Sequence, residues 1–172
     1  MKPIYFVSLL VISVYSCGGS INNTTAVNKG IEAIFSGTGN NLPGLSLKDV
    51  NGNTLNLTDF KGKKVFVNMW ASWCPPCRAE MPSIQKLYEK TKDKNVQFVM
   101  IALDDNFSKS ISFMKSAGLS IPAFYPNAQL PALLNVEAIP STFIFNKNGT
   151  LIKHIEGGDH YDTEAYVKLL TQ

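Results

Sequence analysis

Cys74 and Cys77 stand in the stretch Trp73-Cys74-Pro75-Pro76-Cys77. Thiols separated by two residues can exchange with other disulfides, close a small ring, or supply two ligands to a metal. As a staple the ring does little, because closing so short a loop barely constrains the unfolded chain. What surrounds the pair favours chemistry. Val65 to Ala71 is a β-branched and aromatic run suited to a buried strand. Residues 76–91 follow with helical spacing, Met81, Ile84, Leu87 and Tyr88 sharing one stripe. The pair therefore falls where a strand hands over to a helix. A helix N-terminus offers unpaired N–H groups and a partial positive charge, and both favour a thiolate. Cys74 is placed at or beside the N-cap, where its sulfur can accept from the N–H of Cys77. Pro75 and Pro76 have no N–H to add. The expected Cys74 pKa lies below the free thiol value of about 8.5. Cys74 is then the attacking sulfur, and Cys77, one turn inside the helix and more buried, the resolving one.

The remaining elements must carry this junction. Leu45 to Val50 and Thr54 to Leu57 flank Asn51-Gly52, a pair favoured in tight hairpins. Val96 to Leu103 reads as a second buried strand, and Phe107 to Ala117 as a helix closed by Gly118. Leu130 to Val136 reads as a short helix. Thr142 to Phe145 and Leu151 to Ile155 form a hairpin across Asn146-Lys147-Asn148-Gly149, and a last helix spans Asp162 to Leu170, capped by Asp162 or Thr163. Strand–helix–strand followed by a hairpin and a helix implies a mixed sheet with helices on both faces.

The 172 residues hold one ordinary domain with an accessory segment. The chain is 45% hydrophobic and 17% charged, a composition that builds a packed core. A formal charge of +3, with scattered lysines, gives no nucleic-acid footprint. Lys2 followed by an apolar run from Ile4 to Tyr15 matches a secretory signal peptide, being shorter than the about 20 residues a spanning helix needs. It ends in Val14-Tyr15-Ser16-Cys17, which resembles a bacterial lipobox, with Tyr15 bulkier than usual. That resemblance implies cleavage after residue 16 and a lipid on Cys17; a plain signal peptide or an uncleaved anchor is the alternative. Residues 17–40 are rich in Gly, Ser, Asn and Thr and read as a flexible tether, with an apolar patch from Ile31 to Phe35. The globular domain then runs over residues 41–172. With Cys17 lipidated, Cys74 and Cys77 have only each other to pair with.

Over residues 42–172 the chain resembles the thioredoxin family, and more narrowly its TlpA/ResA-like periplasmic thiol–disulfide oxidoreductases. The resemblance rests on Trp70-Ala71-Ser72-Trp73 before the cysteines, Pro82 inside the following helix, Ile139-Pro140-Ser141-Thr142-Phe143, and Gly157-Gly158. The leading hairpin belongs to the same branch. It implies a thioredoxin fold: a central mixed sheet flanked by helices, with an added N-terminal β-hairpin. Thioredoxin carries a buried acid where this chain has Asn68, and in the TlpA/ResA-like branch an acid at the place of Glu80 takes part instead. From spacing alone, Glu80 is either the base for Cys77 or an exposed first-turn acid favouring the helix dipole; the resemblance favours the base. It also implies a cis Ile139–Pro140 bond that exposes the Ile139 backbone beside Cys74 for a partner strand. Trp73 covers the thiol or touches partners, or forms a hydrophobic rim; Pro75 and Pro76 are expected to bind partners together with Trp73, Ile139 and Pro140. Trp70 reads as core and Arg78 as exposed.

The implied activity is exchange of the Cys74–Cys77 couple with disulfide- or dithiol-bearing proteins, more as a reductant than an oxidant, in cytochrome c maturation or oxidative-stress defence. No nucleotide fingerprint occurs, so no cofactor is expected, and electrons come from another protein, a membrane-bound donor. The expected state is a monomer held by lipid on the periplasmic side of a bacterial membrane. Three competing classes are a peroxiredoxin-like peroxidase, a redox-inactive binding module, and a metal module using Cys74, Cys77, His154 and His160.

Overall fold

The computed structural model describes residues 39–172. The leader, Cys17, the Ile31–Phe35 patch and the tether up to residue 38 lie outside the described residues. In chain order come β1 (Ser46–Asp49), β2 (Thr54–Asn56), β3 (Lys64–Trp70), α1 (Pro75–Thr91), β4 (Val96–Ala102), α2 (Phe107–Ser116), β5 (Ala123–Pro126), β6 (Ser141–Phe145), β7 (Leu151–Glu156) and α3 (Glu164–Thr171). Two 3-10 turns, Leu57–Phe60 and Ala132–Leu134, sit between β2 and β3 and between β5 and β6. The seven strands make one sheet in the order β2-β1-β5-β4-β3-β6-β7. β3, β4 and β5 run parallel; the remaining pairings are antiparallel. The sheet is mixed, as expected. No helix among the described residues is long and apolar enough to cross a membrane.

β3 is buried along all but its first residue, which is why it reads as a continuous apolar run rather than an alternation. Its side chains still divide by face. Phe66 and Trp70 enter a core with Ile84 and Leu87 of α1, Met114 of α2 and Leu170 of α3. Val65, Val67 and Met69 enter a second core with Leu45, Leu57, Leu134 and Phe143. Helices were expected on both faces; the three α-helices instead pack on one, and the two 3-10 turns cover the other.

β5 was not expected as a strand. Pro122 and Pro126 bracket a segment too short to show a period, and its identity comes from pairing with β1 and β4. Through it the hairpin joins the main sheet. The Asn51-Gly52 pair also sits in a longer connection than the expected tight turn. The Asp49 carboxylate accepts from the N–H groups of Asn51 and Asn53, each at 2.8 Å, and so organises residues 50–53. β2 ends one residue early because Asn56 caps the first 3-10 turn in a capping box with Asp59. The segment expected as a helix from Leu130 to Val136 contains only the three-residue turn Ala132–Leu134.

Candidate active site at the start of α1

Cys74 is the N-cap of α1, in extended backbone with φ −86° and ψ 109°, and two prolines open the helix. Cys74 and Cys77 are joined as a disulfide, with Cα atoms 5.3 Å apart. The N–H of Cys77 points at Cys74 Sγ at 3.3 Å, the hydrogen bond expected from the cap position. Cys77 has no exposed surface and Cys74 only 3%. The expected contrast in burial is therefore slight in the bridged form. Cys74 Sγ is bound to its partner on one side and faces the Ile139 carbonyl oxygen at 3.8 Å on the other.

That carbonyl belongs to the cis Ile139–Pro140 peptide preceding β6. The loop is tied to the end of β7 where Gly157 N–H donates to the Pro140 carbonyl at 2.9 Å. Gly157 adopts φ +81°, a backbone conformation that side chains disfavour. Beside the bridge, Trp73 is 64% exposed, and Pro75 and Pro76 are exposed. Trp70 is fully buried. Arg78 is exposed, with its guanidinium 5.4 Å from the centre of the Phe113 ring.

Glu80 is 4% exposed rather than lying on the outer surface of the first turn. Its Oε1 accepts from Asn68 Nδ2 at 2.8 Å, and its Oε2 from the Asp159 N–H at 3.3 Å. Asn68 Nδ2 also donates to Thr142 Oγ1 at 2.9 Å, which accepts from Tyr161 OH at 2.8 Å. Burial raises the Glu80 pKa to about 7; the Asn68 and Asp159 donors oppose the rise, and the nearby Asp159 charge adds to it. Asp159 itself is held below the usual carboxylate range, chiefly by the phenol of Tyr166. A shallow cleft lined by Pro76, Ala79, Glu80, Gly158, Asp159 and His160 opens this acid to solvent. The arrangement can hold or release a proton near neutrality one helical turn from Cys77.

The two histidines do not join the cysteines in a metal site. His154 Nε2 is 2.9 Å from Ser141 Oγ, and its ring stacks on Phe143. Among the described residues no group of three or more His, Cys, Asp or Glu side chains is placed to hold a metal.

Several residues near the site carry weak sequence signals. Thr142, Asp159 and Tyr161 reach Glu80 and Asn68 only through the sheet and the segment after β7. Asp104, just past β4, accepts from Ser72 in the segment that leads into Cys74. The sole hint for Asp104 is its place after the carboxyl end of a parallel strand, where sites in such sheets collect.

Comparison with known proteins agrees with this geometry. The redoxin family pattern matches residues 37–170. The thiol-disulfide oxidoreductase ResA of Bacillus subtilis (strain 168) is 33% identical over 150 residues, covering 87% of this chain and 82% of that protein. A crystal structure of a thiol:disulfide interchange protein from Chlorobium tepidum superposes with a TM-score of 0.66 at 26% identity, over 78% of this chain and 98% of that one. StoA from Bacillus subtilis superposes with a TM-score of 0.60 at 26% identity, over 70% and 92% of the respective chains. With a disulfide between Cys74 and Cys77 at a helix N-terminus of a thioredoxin-like sheet, the chain belongs to the redoxin family and, within it, to the ResA-like thiol–disulfide oxidoreductases.

Proposed function

We propose that the chain reduces disulfides in extracytoplasmic partner proteins, with Cys74 as the attacking thiolate. The observation that carries this reading is the Cys74–Cys77 bridge at the cap of α1, with the Ile139 carbonyl 3.8 Å from Cys74 Sγ. In the dithiol form, thiolate Cys74 attacks a partner disulfide, forms a mixed disulfide and expels one partner thiolate. Glu80, as carboxylate, takes the proton of Cys77. Cys77 then attacks Cys74 Sγ, the partner leaves as a dithiol, and the intrachain bridge remains. Two electrons pass to the partner; a membrane-bound dithiol protein returns them. The partner segment lies against the Ile139 backbone, with Trp73, Pro75 and Pro76 forming the rest of the contact. Residues 1–16 act as signal peptide and Cys17 carries lipid, so that residues 41–172 work on the periplasmic side of a membrane.

Mixing the reduced chain with a disulfide-bearing protein tests the reading. Cys74→Ala abolishes exchange, and Cys77→Ser accumulates a mixed disulfide through Cys74. Trapping through Cys77 in a Cys74→Ser chain would reverse the assignment of roles. A potential for the couple near −270 mV supports the reductant direction, and one near about −120 mV overturns it.

A further inference from the structure

Asp104 is 2% exposed, yet its carboxylate meets no cation within ion-pair distance among the described residues. Three dipoles hold it: Ser72 N–H at 3.0 Å and Ser110 Oγ at 2.6 Å on Oδ2, and Ser72 Oγ at 2.6 Å on Oδ1. A buried carboxyl group with no cation in contact is a costly way to stabilise a fold. Its position suggests another use. Two of the three bonds fix Ser72, which lies inside the turn closed by Cys74 N–H on the Ala71 carbonyl at 3.2 Å. Just before that turn, the end of β3 is tied to the loop after β4, where Leu103 N–H donates to the Trp70 carbonyl at 2.8 Å. The segment carrying Trp73 and Cys74 is therefore anchored from the loop after β4.

We propose that Asp104 is a positioning residue for the thiol pair, acting through Ser72 to keep Cys74 beside Cys77 once the bridge is open. The proposal rests on the exchange chemistry assigned above. In the disulfide form the S–S bond holds Cys74 in place. In the dithiol form that tie is gone, and the turn must do the holding. A well-held Cys74 raises the effective concentration of one thiol toward the other and so favours ring closure.

The test equilibrates the full chain with reduced and oxidised glutathione, where protein dithiol plus glutathione disulfide gives protein disulfide plus two glutathione thiols. Ser72→Ala and Asp104→Asn lower that equilibrium constant by about threefold or more, since each removes at least one hydrogen bond that holds the Ser72 segment. Ser110→Ala loses a bond of the same length to the same carboxylate, but away from the cysteines, and stays within about 1.5-fold of wild type. Unfolding of the reduced proteins is followed in parallel, so that a purely structural role shows as shifts that track lost stability. An unchanged constant in Ser72→Ala or in a folded Asp104→Asn overturns the proposal, as does an equal shift in Ser110→Ala. Should Asp104→Asn fail to fold, the contrast between the two serine variants decides. A wild-type chain that does not exchange with glutathione removes both this proposal and the activity beneath it; normal exchange with unshifted variants removes only this one.

Discussion

Glu80 has a folded-state pKa of about 7 against an ordinary value of 4.5, so the folded chain holds this proton more tightly than the unfolded one. Its contribution to stability is full below pH 4.5 and is lost as pH rises through 7. The difference corresponds to about 3 kcal/mol. Glu80→Gln keeps a neutral side chain at every pH. The unfolding free energy of this variant relative to wild type should therefore rise by about 3 kcal/mol between pH 4.5 and pH 8 in urea titrations. A relative stability that stays flat with pH refutes the burial argument. The same group sets a kinetic expectation. Resolution of the mixed disulfide accelerates as pH rises through about 7, and Glu80→Gln both slows it by about 10²-fold and removes that inflection. Stopped-flow release of the partner thiol across pH 6–9 measures both.

At the scale of the element, α1 begins with two prolines and a sulfur cap, and Met81, Ile84 and Leu87 bury its inner face. Pro82 removes one backbone donor inside the helix, which that packing tolerates. The cap itself can be weighed. Under reducing conditions Cys74→Ser retains a side-chain acceptor for the Cys77 N–H and should match the reduced wild type to within about 0.5 kcal/mol. Cys74→Ala leaves that N–H without its side-chain partner and should cost about 1 kcal/mol. Equal stability of the two variants in denaturant melts would mean that the sulfur plays no capping role.

For the whole molecule, the sheet order places β4, β3 and β6 centrally, between the hairpin side and β7. The inner strands are almost wholly buried, whereas β7 is largely exposed along its length. Amide exchange should therefore be slowest in β3, β4 and β6, opening only with global unfolding, and faster in β2 and β7. Hydrogen-exchange mass spectrometry or NMR reads this directly. Protection in β7 equal to that in β3 would contradict the layering.

The thiol pair, the strand before it, the helix after it and the cap role of Cys74 were legible in the sequence because each is a local pattern: a run, a period, a spacing of three. The resemblance drew attention to Ile139-Pro140 and Glu80, which the fold places beside Cys74 and one helical turn from Cys77. Tertiary structure decided the rest. Spacing left Glu80 either exposed or functional, and only packing against Asn68 and the Asp159 backbone buries it. The strand β5 exists through its partners β1 and β4. Ser72 meets Asp104 across 32 positions, and Cys74 meets Ile139 across 65. Periodicity and capping act between residues a few places apart, whereas burial and a carboxyl group's pKa depend on which strands lie side by side, and no short window of sequence contains that order.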